Sequence, residues 1–199
     1  MNPARREALV LVGVALLWLP ICLAAWYAAA GAIGWLPARL AAPLVASAAG
    51  KVTKVEVGQR TVSYMVVVEG PYQPGSSPRA EARIDVPVAT FTFGVAIFAA
   101  LALAAKGWRQ PARLALGLAI LLPLPAWGVT FDALRQLGGS PELSALLAWK
   151  GGAREAIALG YQVGSLLLPT LGPIAVWLAL FPAAWKGGVG EIGFPPTRE

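Results

Sequence analysis

The sequence contains no histidine, a single cysteine and few charges. Without histidine the chain lacks the usual general base of serine and cysteine hydrolases. One cysteine, Cys22, builds neither an internal disulfide nor a cysteine–histidine zinc site. Set among apolar neighbours, its thiol is inert rather than nucleophilic. No phosphate-binding glycine-rich loop ending in Gly-Lys-Ser/Thr is present. Charged residues make up 13% of the 199 positions, against about 25% in a typical soluble domain. Hydrophobic residues make up 57% and are gathered in long uncharged blocks. A chain so constituted is an integral membrane protein. Its basic excess, 16 Lys+Arg over 10 Asp+Glu, is scattered over the links between blocks, which suits membrane anchoring and not nucleic acid.

A crossing helix needs about 20 apolar residues. Four stretches qualify: Ala8–Ala30, Val88–Ala105, Leu114–Phe131 and Ala156–Trp185. A cleaved signal peptide would have an apolar core of roughly 7–15 residues. The first stretch is longer and carries Trp18, Trp26 and Tyr27, with Trp35 just beyond it, so it reads as a retained anchor with an aromatic belt. Arg5 and Arg6 precede it, Lys106, Arg109 and Arg113 crowd the second link, and Lys186 follows the last stretch. The positive-inside rule then places both termini in the cytoplasm, with residues 31–87 and about 136–155 outside.

The outer segment has two parts. Trp35–Ala49, interrupted by Pro37, Arg39 and Pro43, reads as an interfacial segment. Beyond it, Lys51–Val57 and Thr61–Val68 are valine-rich and alternate around Gly58-Gln59-Arg60, a hairpin signature. Gly70–Pro78 is a loop, and Arg79–Val86 supplies a third strand. The expected fold class is therefore an all-α membrane protein with a small β insertion. It comprises four transmembrane helices, N-in and C-in, plus a two- or three-stranded antiparallel meander. The corresponding divisions are an anchor over 1–30, an outer region over 31–87, a three-helix bundle over 88–185 and a cytoplasmic tail over 186–199. So small a sheet is marginal alone and must lean on the membrane, the interfacial segment or a partner. An uncovered strand edge would make it a docking platform.

Polar chemistry collects at one place. Asp132 and Arg135 lie three apart at the end of the third span, and Arg154, Glu155, Tyr161 and Gln162 open the fourth. Charges near a membrane boundary are costly unless paired, so Asp132 is expected to pair with Arg135 or Arg154. The cluster reads first as ion pairing that fixes how two spans pack. A pocket for a peptide carboxylate or a lipid headgroup is the sharper reading, and a membrane enzyme built on the same residues is a third. No cofactor or metal is expected. Pro169 and Pro173 with Gly160, Gly164 and Gly172 predict a kinked fourth span with close small-residue contacts.

Several segments together resemble the exosortase H-associated membrane proteins of bacteria. These are NPARR at the start, LLWLP in the first span, PAWGVTFDALRQL ending the third, and REAIALGYQVGSLLLPTLGPIAVWLAL. The resemblance implies a small inner-membrane accessory protein partnered by an exosortase, assisting the handling of substrates with a C-terminal sorting signal. The exosortase itself resembles a Cys/Arg/His transpeptidase, which a chain without histidine cannot be. The resemblance assigns no functional residues.

Overall fold

The computed structural model describes residues 3–70 and 79–182. The loop expected at 70–78, beyond Gly70, and the tail over 186–199 lie outside the described residues. So do the end of the fourth span beyond residue 182 and its closing Lys186.

The chain opens on one helix, α1 (Pro3–Ala49), of 47 residues. At 1.5 Å per residue it is about 70 Å long, more than twice a hydrocarbon core of about 30 Å. Trp35–Ala49 is thus not a separate interfacial segment but the continuation of the anchor helix. Pro37 and Pro43 each remove one backbone donor yet do not end it. Ala38, Ala41, Val45 and Ala49 recur at helical spacing, and all four are buried. The packing of that stripe outweighs the local cost of proline.

Gly50 turns the chain out of α1 with φ +133°, where a Cβ would collide with the Val67 carbonyl, so glycine is required. Three antiparallel strands follow in the order β1 (Lys51–Val57), β2 (Val62–Glu69), β3 (Arg79–Val86). Register pairs Val55 with Tyr64 and Tyr64 with Ile84. A bulge lies between Val52 and Lys54 in the edge strand. Val62, Tyr64, Val66, Val68, Ile84 and Val86 form one apolar face against α1 and the later helices. The Tyr64 hydroxyl donates to the Ala38 carbonyl at 2.8 Å. The hairpin runs back along α1 until its Gly58 and Gln59 backbone meets Gly31, and Arg60 lies over the Tyr27 ring at 4.1 Å.

The remaining helices run beside α1. After α2 (Ala89–Thr92) and α3 (Gly94–Ala104), a 3₁₀ turn at Gly107–Arg109 leads to α4 (Pro111–Leu121) and α5 (Pro125–Gly139). Then come α6 (Pro141–Leu147), α7 (Gly151–Gln162), a π-turn at Val163–Leu167 and α8 (Leu168–Leu180). Three helices are long and apolar enough to cross a membrane: Arg6–Ala49, Pro111–Gly139 and Gly151–Leu180. The stretch expected as the second of four spans is a shorter apolar helix, Ala89–Ala104. At 1.5 Å per residue it covers about 24 Å. The third span is two helices, because Pro123 and Pro125 interrupt it between α4 and α5.

The expected kink is a π-turn ahead of Pro169, whose ring would otherwise press on the Ser165 carbonyl. Trp127 Nε1 donates to the Gly160 carbonyl at 3.0 Å beside this turn. Gly160 faces Phe131, and Gly164 lies against the Gly128 backbone. Near the other end, Phe98, Ala102, Leu121, Trp177 and Phe181 close a second core with Leu11 packed on it. The start of α1, the 106–113 link and the end of α8 therefore gather at the end opposite the sheet. Buried hydroxyls are satisfied within their helices, Thr92 to the Val88 carbonyl and Thr130 to the Ala126 carbonyl.

Gly164 tests this close approach. Gly164→Val drives a side chain into the backbone of α5 and is expected to cost about 1–3 kcal/mol, read as a lower melting temperature in detergent. Gly13→Ala meets nothing within 4 Å and should not lower melting, since alanine is the better helix former.

Candidate functional site

Asp132 lies on the inner side of α5, where that helix passes the end of β3, and only 2% of its surface is exposed. Both carboxylate oxygens are engaged. Arg135 donates to Oδ1 from Nη2 at 2.8 Å and from Nε at 3.2 Å, and Gln136 Nε2 donates to Oδ2 at 3.1 Å. Spacings of three and four put all three side chains on one helix face. Gln136 Nε2 also reaches the Asp85 carbonyl at 3.1 Å, tying α5 to the edge strand β3. Arg135 lies over the Tyr161 ring at 4.5 Å, and Tyr161 meets Phe91 edge-on with centroids 6.5 Å apart. One buried carboxylate thus holds α5, β3 and, through Arg135, α7.

Of the residues singled out in the sequence, Asp132, Arg135 and Tyr161 lie together, and Asp132 pairs with Arg135 and not with Arg154. The others do not join them. Arg154 is exposed and bonds the Ser144 hydroxyl of α6. Glu155 and Gln162 are exposed on other faces of α7, and among the described residues no ion pair reaches Glu155. Seven residues separate Arg154 from Tyr161, about 10 Å along the helix axis, so the cluster divides into an inner network and an outer rim. Gln136 was not anticipated. The signal for it was present, since it stands four residues after Asp132.

Between inner network and rim lies a cleft of about 180 Å³, open to the outside. Arg135, Gly138 and Leu134 of α5 form one wall, and Arg154, Ile157 and Ala158 of α7 the other, with Trp149 across one end. Its walls are apolar and its polar atoms are guanidinium groups, so it suits an anionic, partly apolar group and offers no free base or nucleophile.

A second polar set covers the sheet face turned away from the helices. Lys54 pairs with Glu56 at 2.6 Å, and Arg83 with Asp85 at 3.2 Å. Ser63 donates to Asp85, and Arg83 Nη2 donates to Ser63 at 3.0 Å. The Ser63 and Arg83 hydrogen bonds hold the Asp85 carboxyl below its ordinary value of 3.8. Glu56 is lowered by the hydrogen bond and charge of Lys54. On the opposite face, burial pushes the Tyr64 phenol far up, so it stays protonated as donor to α1. Among the described residues no three His, Cys, Asp or Glu side chains gather as a metal site.

A family model described as exosortase H-associated membrane protein matches residues 5–184. No curated protein matches the chain, and no solved structure does.

Two outcomes follow from this geometry. Asp132→Ala strands Arg135 and Gln136 and should cost about 1.5–3 kcal/mol in a melting or denaturant assay, whereas Glu155→Gln should fall within about 0.5 kcal/mol of the parent. Because the folded carboxyl of Asp85 titrates below its unfolded value, its contribution is present above pH 3.8 and lost as pH falls through the lower folded value. Protection in β3, corrected for the intrinsic pH dependence of amide exchange, should therefore fall on acidification from about pH 5 to about pH 3, and Asp85→Asn should flatten that fall.

Proposed function

The chain belongs to the exosortase H-associated membrane protein family, and from that membership and its architecture we propose that it is a non-catalytic inner-membrane accessory subunit of an exosortase-type sorting system. The short apolar helix Ala89–Ala104 completes four crossings, with both termini in the cytoplasm and the sheet in the periplasm. There the protein assists recognition or processing of substrates that carry a C-terminal sorting signal.

One observation carries the reading: a sheet with a charged, open face is mounted on the same unbroken helix that anchors the chain. From Arg6 to Tyr27, α1 runs about 32 Å, close to one hydrocarbon thickness. The remaining length carries β1–β3 as a platform held at fixed height. The distribution of charge supports the sidedness. Arg6, Lys106, Arg109 and Arg113 belong to the end opposite the sheet, with the exposed Trp108 beneath Arg109 as an interfacial anchor. The sheet end mixes acids such as Glu56, Asp85 and Asp132 with bases such as Lys54, Arg83 and Arg154, so the bias rests on the opposite end, where Glu7 is the one acid among the described residues. The engagement of both Asp132 oxygens, and its separation from Glu155, weigh against the membrane-enzyme reading.

Reporters fused after Val68 and after Gly107 should report opposite sides of the membrane; agreement between them would refute the arrangement. From native membranes in mild detergent, the chain should co-purify with a sorting transpeptidase. Recovery of the chain alone would count against an accessory role. Glu155→Gln should lower the yield of that complex without changing the chain's own melting, as expected of a surface contact.

A further inference from the structure

The cleft between α5 and α7 has a depth as well as a chemistry. Arg60, over the Tyr27 ring, and the hairpin backbone against Gly31 put polar groups at that level of α1. Hydrocarbon therefore ends near Tyr27. The level transfers across the bundle. Trp26 Nε1 donates to Thr92 Oγ1 at 3.2 Å, the neighbouring Phe91 lies on Gly128, and one turn further Phe131 lies on Gly160. Arg135 stands seven residues beyond Gly128, and Arg154 six before Gly160, itself one turn above that level, which puts their backbones about 10 and about 13 Å above that boundary. The headgroup layer occupies about 5–8 Å on each side of the core, and the long arginine side chains snorkel back down to it from just above.

We propose that this cleft binds the phosphate of a phospholipid from the adjoining leaflet; the inference rests on the membrane placement argued above. Arg154 supplies the charge. Its hydrogen bond goes to the neutral Ser144, and among the described residues no carboxylate pairs with it. Arg135, half neutralised by Asp132, supplies a second set of donors from the facing wall. A guanidinium fork matches phosphate oxygens in pairs, which a carboxylate rim could not do. The acyl chain has a track. Phe131 and Trp127 lie one and two turns below Arg135 on α5, with their rings 4.7 Å apart and Trp127 47% exposed. An anionic head above an apolar stripe is the shape of a lipid, not of a soluble anion.

The test uses the full chain, delipidated in detergent and followed by native mass spectrometry. It is titrated with phosphatidylglycerol, with diacylglycerol of the same chains, and with inorganic phosphate. Phosphatidylglycerol should give a one-to-one adduct that the other two neither form nor displace. Arg154→Gln should weaken retention about tenfold, and Arg154→Lys, which keeps the charge but loses the fork, should weaken it by less. Ala158→Phe, which fills the cleft and leaves every charge in place, should abolish retention. Since residues 154 and 158 are both exposed, unchanged melting will separate lost binding from lost fold. Equal adducts in parent and variants, equal retention of diacylglycerol, or displacement by inorganic phosphate would overturn the proposal. So would displacement by an apolar peptide through its free C-terminal carboxylate, which would assign the cleft to a polypeptide. The fusion reporters respond to membrane placement alone, so failure of lipid retention with reporters on opposite sides would sink only this inference.

Discussion

The sheet leans on the second half of α1. A three-stranded sheet buries too little to stand alone in water, and here its apolar face is completed by Ala38, Ala41, Val45 and Ala49, whose small side chains let the sheet come close. The buried Tyr64 hydroxyl reaches an α1 carbonyl because nothing larger than alanine intervenes. Since the same helix is also the membrane anchor, the sheet inherits a fixed height and orientation. A flexible linker at Gly31 would have left both undetermined. At that position the hairpin backbone instead approaches so closely that a larger residue would press on it.

The β3 edge of the sheet is tied to α5 through the network around one carboxylate. Charge near a membrane boundary is tolerated when its partners come with it, and Asp132 brings Arg135 and Gln136 on its own helix face. Gln136 spends its second donor on β3, and Arg135 spends its π-facing surface on Tyr161. The network thus converts a local helix spacing into a three-element junction. Because its oxygens are occupied, the junction is structural, and the chemistry available to a ligand moves outward to the cleft walls.

In the bundle, close packing follows from glycine and its deformation from proline. Gly128, Gly160 and Gly164 allow α5 to contact α7 and the π-turn at backbone distance, and Trp127 uses the carbonyl exposed there. A small-residue interface of this kind compensates for the weak driving force between apolar helices in lipid. It also explains how a chain with so few charges keeps one arrangement of its helices.

Patterns of period two and long uncharged runs were legible without coordinates. They identify a membrane protein, strand stretches within a residue of those observed and a kinked final helix. Asp132 and Arg135 could be paired from spacing alone, because helix geometry brings residues three apart together whatever the fold. Three things were decided only by tertiary contact. Trp35–Ala49 stays helical although its prolines argue against it, because the sheet rewards the Ala38–Ala49 stripe. Ala89–Ala104 forms two short helices, because Trp26 and Gly128 seize the Thr92–Phe91 corner. Arg154 and Glu155 part from Asp132, because the face of α7 that meets α5 is chosen by Gly160 and Gly164. Local periodicity reports which faces are apolar; which neighbour each face meets depends on residues distant in the chain, and no spacing rule carries that information.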